Sequence, residues 1–146
     1  MRRVFLDASV IIAGAASSTG ASRAVLMLAE VGLFQGVVSA QVLEECQRNL
    51  AKKLPAALAA YSELLSKLNL EVMNNPSSVE YSPWLTIIEP KDAPILAAAV
   101  LAQVDRLLTL NTKDFTQNVA QQSGLNIQTP SEFIQEVRAI LTKGLS

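Results

Sequence analysis

The sequence predicts an α/β fold: a three-layer α/β/α sandwich around a central, mainly parallel β-sheet. Three observations carry that prediction. β-forming runs alternate with helical runs along the chain, which is the pattern of βαβ units. Two of those runs, Val4-Phe5-Leu6 and residues 106–110, read as buried strands. The length of 146 residues, half of them hydrophobic, is enough to bury a core, so residues 1–146 are read as a single domain.

Val4-Phe5-Leu6 ends in Asp7, and the C-terminal end of a strand is where open α/β sheets place their ligand sites. Small and apolar residues follow from Ala8 to Ala16, then the polar loop Ser17-Ser18-Thr19-Gly20. Ser22 is the expected N-cap of a helix over residues 23–31, stopped by Gly32. Gly36-Val37-Val38-Ser39 is a short second strand. Ser39 then opens a helix striped by Val42, Leu43, Cys46, Leu50 and Leu54. Pro55 breaks it and enters the first turn of the next helix, where Leu58, Tyr61, Leu64, Leu65 and Leu68 recur at helical spacing.

Residues 70–73 read as a strand and Asn74-Asn75-Pro76-Ser77-Ser78 as a loop. Residues 79–83 carry no clear signal. Residues 84–88 fit either a strand or a tight helical turn, with Trp84 in the core or at an interface. Asp92-Ala93-Pro94 opens a helix to residue 104 that is apolar nearly all round and therefore buried. The strand over residues 106–110 ends at Asn111, and a helix over residues 115–123 is stopped by Gly124. Residues 125–128 form a last short strand. Thr129-Pro130-Ser131-Glu132 is a capping box with proline at N1, launching the final helix.

Composition excludes several classes of chemistry. With no histidine, Ser-His-Asp and Cys-His triads and most zinc sites are ruled out. The lone Cys46 has no partner for a disulfide and reads as core filler, which makes the cytoplasm the expected compartment. Met1-Arg2-Arg3-Val4 resembles the start of a signal peptide, but Asp7 interrupts the apolar run behind it. No apolar run reaches the roughly 18–20 residues of a membrane span. A net charge of −1 argues against a wholly basic nucleic-acid-binding surface, while leaving room for a local basic stripe. The mean hydropathy of +0.30 is high for a small domain and points to apolar surface facing a partner, a homodimer being expected.

The acids fall into a pattern. Asp7, the pair Glu44 and Glu45, Asp92, Asn111 and Asp114 all lie at strand ends or in the first turns of helices. In a parallel sheet they converge on the C-terminal edge. Gathered carboxylates repel one another unless a cation neutralises them. Oxygen ligands without His or Cys suit Mg²⁺ or Mn²⁺. Such a site activates water and shields the anionic oxygens of a phosphodiester, so the expected chemistry is metal-dependent phosphodiester hydrolysis.

Four stretches together resemble the PIN domain: Val4-Phe5-Leu6-Asp7-Ala8-Ser9, Ser39-x-x-Val42-Leu43-x-Glu45, Lys91-Asp92-Ala93-Pro94-Ile95-Leu96-Ala97-Ala98-Ala99, and Leu108-Thr109-x-Asn111-x-x-Asp114-Phe115. Their order and spacing run from Val4 to about Phe133. The resemblance implies a metal-dependent ribonuclease that leaves a 5′ phosphate. It also implies kinship with small VapC-type toxins, which an antitoxin peptide holds inactive. Carried over by position, Asp7, Glu45, Asp92 and Asp114 are the catalytic acids, with Asp7, Asp92 and Asp114 on the metal. Ser9 and Thr109 are hydroxyls that orient ligands or water. Asn111 stands where the family often has an acid, a departure that bears on the metal's charge count.

Plainer readings exist for most of these residues. Asp92 is a good N-cap, Asp114 is placed to cap the helix from Phe115, Asp105 is a loop charge, and Thr109 is a common strand residue. A helical wheel does not choose between Glu44 and Glu45. Glu44 has Arg48 four residues on, as an exposed ion pair, and the family spacing selects Glu45. Arg48, Lys52 and Lys53, joined by Arg23 and Lys113 if these reach the same edge, are candidate phosphate contacts. The competing class is a catalytically impaired PIN-like module that binds RNA or protein, favoured by Asn111. Haloacid-dehalogenase phosphatases want a second Asp where Ser9 stands, receiver domains want an acidic pair beside the first strand, and no G-x-G-x-x-G follows it.

Overall fold

Val4, Phe5 and Leu6 have no polar face to offer water, and β1 (Arg3–Leu6) accordingly takes the middle place in a five-stranded sheet. The computed structural model describes residues 2–145. After β1 come α1 (Ala8–Ala16), α2 (Ala21–Glu30), β2 (Gln35–Ser39), α3 (Ala40–Lys53), α4 (Leu58–Leu68) and β3 (Glu71–Met73). The second half holds α5 (Ser78–Tyr81), α6 (Ala93–Leu101), β4 (Arg106–Leu108), α7 (Gln117–Ser123), β5 (Ile127–Gln128) and α8 (Pro130–Leu145). Short 3-10 turns cover Pro55–Ala57 and Ser82–Thr86. The strand order is β3-β2-β1-β4-β5 and every pairing is parallel, so the expected three-layer architecture is the observed one.

That order positions the site. The chain moves outward from β1 to β2 to β3, then returns to place β4 on the other side of β1. Right-handed crossovers in opposite directions put helices on opposite faces. On one face α1 packs against α2, α3 and α4, with α8 against α2; α5 and α6 pack together. The reversal leaves a crevice between the C-terminal ends of β1 and β4, the place where such sheets bind ligands.

Several boundaries differ from expectation for identifiable reasons. α1 begins immediately after Asp7 and fills the apolar stretch Ala8–Ala16, which has no helical period because it is apolar all round. Gly20, at φ 96°, is the N-cap of α2, and Ser22 lies inside the helix. α6 is buried as expected but ends at Leu101, because Gln103 adopts a left-handed backbone at φ 54°. The segment without clear signal contains α5, opened by a capping box between Ser77 and Glu80. Residues 82–86 form a 3-10 turn, so the strand option there is excluded, and Trp84 packs against the core. Thr129 and Glu132 form the expected reciprocal cap at 2.8 and 3.2 Å.

α1 and α2 meet at a bend of 98°, and Gly14 sits at their closest approach. A Cβ there would overlap Leu26 Cδ1 and lie 3.3 Å from the Ser22 carbonyl oxygen. Leu26 is fully buried and has little room to withdraw. Gly14→Ala is therefore expected to destabilise the protein by about 1–3 kcal/mol. Thermal melting would show a drop of several degrees, and an unchanged midpoint would mean that Leu26 repacks without strain.

At the opposite edge of the sheet, buried Arg106 ties α8 down. It donates to Glu136 Oε2 at 2.6 Å and Gln128 Oε1 at 2.9 Å, and its guanidinium lies 5.9 Å from the Phe133 ring centre. No single helix among the described residues is long and apolar enough to cross a membrane.

Candidate active site

Asp7 closes β1 and caps α1. Its backbone is extended, and Oδ1 accepts from the Ala8 N–H at 2.9 Å. Oδ2 accepts from Thr109 Oγ1 at 2.7 Å and from Ser9 Oγ at 2.9 Å. Thr109, just past β4 and fully buried, in turn accepts from the Asn111 N–H at 2.9 Å. Ser9 Oγ accepts from the Leu110 N–H at 3.0 Å. One carboxylate thus joins the ends of β1 and β4 across the crevice. Its donors are all uncharged, so its charge is oriented but not neutralised.

Asp92 differs. Its backbone is already helical, at ψ −17°, and its side chain makes no cap bond to α6. Pro94 near the start of that helix removes one N–H that a cap would serve. The capping role expected of Asp92 is therefore absent. Its Oδ2 is buried and no donor reaches it, a costly state for a carboxylate. Burial pushes Asp92 up to about 7, aided by a shared hydrogen bond and charge repulsion from Asp114, while Lys91 pulls the other way.

Asp114 is not the helix cap either. Thr116 caps α7, accepting from the Val119 N–H at 3.3 Å. Asp114 Oδ2 instead accepts from Asn111 Nδ2 at 3.1 Å and pairs with Lys91 Nζ at 3.8 Å. The Asn111 bond, then the bond with Asp92, hold Asp114 below the usual carboxylate range. Asp92 and Asp114 form a coupled pair, one inclined to keep a proton and the other to lose it.

α3 supplies the remaining acid. Glu45 is half-buried and accepts from Gln41 Nε2 at 3.1 Å. Glu44 is exposed on another side, beside Tyr61 and Leu65, and its expected ion pair with Arg48 is not among the ion pairs of the described residues. Of the two, Glu45 lines the same cavity as Asp7 and Asp92, and Glu44 does not.

All of these acids but Asp114 and Glu44 face one cavity of about 660 Å³. Asp7, Glu45 and Asp92 line it with Ser9 and Asn111, and Ile12 and Ala13 give it an apolar stretch. Its basic side comes from Arg48, Lys52 and Lys53 of α3, with Asn49 and Lys91. Two expected cations are elsewhere. Lys113 lines a neighbouring hollow with Asp114, because the turn after Asn111 carries both outward. Arg23 is spent on the Gly14 carbonyl, donating from Nη1 at 2.9 Å.

Among the described residues, no three acidic or thiol side chains already stand close enough to hold one ion. The donor set nonetheless suits a hard divalent ion. Such ions keep several waters and need only one or two carboxylates, and the unpartnered Asp92 Oδ2 is an oxygen lacking a counter-charge. No soft ligand competes. Cys46 is fully buried behind the site, and burial, then Asp7 and Glu45, push its thiol up to about 12.

Three participants were not singled out in the sequence. Gln41 joins Glu45 to the Lys91 carbonyl, at 3.1 and 3.4 Å; its position four residues before Glu45 was a usable signal. Asn75 Oδ1 accepts from the Gln41 N–H at 2.7 Å, a loop contact with no sequence signature. Lys91 stands next to Asp92 in the sequence and turns back over Asp114.

A family model described as the PIN domain matches residues 3–113. Among solved structures, VapBC2 from Rickettsia felis, bound to a DNA fragment from its promoter, aligns with 20% identity and a TM-score of 0.65, over 87% of this chain and 98% of that one. A toxin–antitoxin complex from Klebsiella pneumoniae aligns with 22% identity and a TM-score of 0.63, over 87% and 97%. DNA-bound VapBC from Salmonella typhimurium aligns with 19% identity and a TM-score of 0.63, over 89% and 99%. Comparison with curated proteins finds no match.

Proposed function

Because this chain belongs to the PIN domain family, we propose that it is a metal-dependent endoribonuclease, the toxin half of a toxin–antitoxin pair. The observation carrying that reading is the juxtaposition in one cavity of Asp7, Glu45 and Asp92 with the basic side formed by Arg48, Lys52 and Lys53. The acids suit a hard divalent ion and the cations suit a polyanion's phosphates. When bound, Mg²⁺ or Mn²⁺ would supply charge at the phosphodiester and an acidified water.

The chain's own residues divide the remaining tasks. Asp7 and Asp92 would hold the ion, with Asp114 beside them. Thr109 and Ser9 fix the Asp7 carboxylate in place, and Gln41 fixes Glu45, which faces the cavity as the group for proton transfer. Arg48 and Lys52, one helical turn apart, engage successive phosphates, and Lys113 lies on the neighbouring hollow as a further phosphate contact.

The reading extends to partners and place. An antitoxin polypeptide would control the nuclease, by analogy with the similar structure from Klebsiella pneumoniae, which is a toxin–antitoxin complex. A second copy of the chain would cover the exposed Met27, Val31 and Leu33, with Ile140 and Leu141 of α8. The compartment is the cytoplasm, where the unpaired Cys46 stays reduced.

The test is cleavage of an end-labelled RNA panel by the purified chain with Mn²⁺ or Mg²⁺, and again with EDTA. Cutting is expected with metal and none after chelation. A second reading, a PIN module that binds RNA or protein without cutting, has Asn111 in its favour. A folded chain that cuts nothing on the panel with either ion would transfer the case to that reading.

A further inference from the structure

We propose that Lys91 is a resident cation standing in for a second divalent ion, so that the site takes one metal per chain. The inference rests on the metal-nuclease reading above and deepens it. Lys91 Nζ lies 3.8 Å from Asp114 Oδ2; the Asp114 side chain is 14% exposed and that of Lys91 75%. The amine reaches in from solvent to cover a carboxylate that is itself mostly shielded. The same oxygen accepts a hydrogen bond from Asn111 Nδ2 at 3.1 Å, so a metal beside Asp114 would compete with that donor and with the ion-paired amine of Lys91. The backbone of Lys91 is held as well, its carbonyl accepting from Gln41 Nε2 at 3.4 Å.

Charge decides how many ions fit. When ionised, Asp7, Glu45, Asp92 and Asp114 carry four negative charges, and Lys91 cancels one. One divalent ion leaves a single negative charge, whereas a second would make the cluster net positive beside Arg48, Lys52 and Lys53. In two-metal sites the ions stand about 3.5–4 Å apart. A second ion here would have to displace Lys91 from Asp114, and Asn111 provides no carboxylate to attract it.

The experiment counts Mn²⁺ bound to the full chain, by electron paramagnetic resonance of the free ion and by calorimetry, without RNA. Wild type is expected to bind one ion. Lys91→Met, which keeps the length of the stem, is expected to strengthen binding of a second ion about tenfold. Adding Asn111→Asp to it should raise the count to two, and Lys91→Arg should keep it at one. Circular dichroism checks that each variant is folded, which is expected because the Lys91 side chain is largely in solvent. Wild type binding two equivalent ions would overturn this inference alone, as would a Lys91→Met, Asn111→Asp variant that stays at one. Wild type binding no Mn²⁺ would overturn the metal-nuclease reading itself.

Discussion

Asp7→Asn is expected to lower metal-dependent RNA cleavage at least about a hundredfold while leaving the protein folded. The substitution preserves shape. The oxygen that caps the Ala8 N–H remains, and an NH₂ group replaces the oxygen that receives Thr109 and Ser9. Both hydroxyls can turn and accept instead, because a hydroxyl carries lone pairs as well as a proton. The rearrangement costs about 1–2 kcal/mol, within the 5–15 kcal/mol typical of a domain. What the amide does not restore is the negative charge at the crevice between β1 and β4. Single-turnover cleavage of one RNA, paired with a thermal melt, separates the two effects. Activity within about threefold of wild type would remove Asp7 from the machinery.

Asp92→Asn is expected to pull function and stability in opposite directions. Cleavage should fall by a similar factor, yet the metal-free protein should melt higher at about pH 8.5. The carboxyl titrates at 3.8 in an unstructured chain and at about 7 here. The folded protein therefore holds that proton the more tightly. The stability this provides is fully present below about pH 4 and is lost as pH rises through about 7. At higher pH the metal-free site carries two ionised carboxylates facing each other. An asparagine cannot ionise and can donate an N–H towards Asp114. Asp92 is partly open to solvent, so after screening the gain is on the order of 1 kcal/mol, a few degrees of melting temperature. Melts in EDTA at about pH 4 and 8.5 test this; a variant that is the less stable at both would refute the repulsion. The same proton must leave before an ion binds, so wild-type Mn²⁺ affinity should tighten as pH rises through about 7.

Much of this site was legible because its acids break local rules. Asp7 ends an apolar strand, and that alone marks it; its bonds to Thr109 and Ser9 are findings of the structure, the sequence reading of those two being only hydroxyls that orient ligands or water. Other assignments needed backbone geometry. Whether Asp92 is a cap depends on one ψ angle, and whether Asp114 is one depends on where α7 starts, which Thr116 decides. Glu44 and Glu45 were equivalent on a wheel until α1 and α4 took their places beside α3. Arg23 and Lys113 are charged residues near the right elements, but side-chain direction from a loop or helix end has no sequence signature. α1 was invisible for the opposite reason: a run of small and apolar residues on nearly every side has no polar face to give the periodicity by which a helix is recognised. The end of α6 was lost because Gln103, a residue that seldom adopts a left-handed backbone, does so here.

The central strand of the sheet is the first one synthesised, and this imposes an order of assembly. Val4 pairs with Gly36 on one side but with Arg106 on the other, and the bond from Thr109 to Asp7 spans 102 residues. At about 5–20 residues per second, translation leaves Asp7 waiting some 5–20 s for Thr109. In that interval one edge of β1 is bare; Asp92 arrives only in its last part, and Asp114 after it has ended. A nascent or truncated chain lacking β4 thus carries an open apolar strand edge and no assembled site. Such a chain is open to chaperone capture or aggregation.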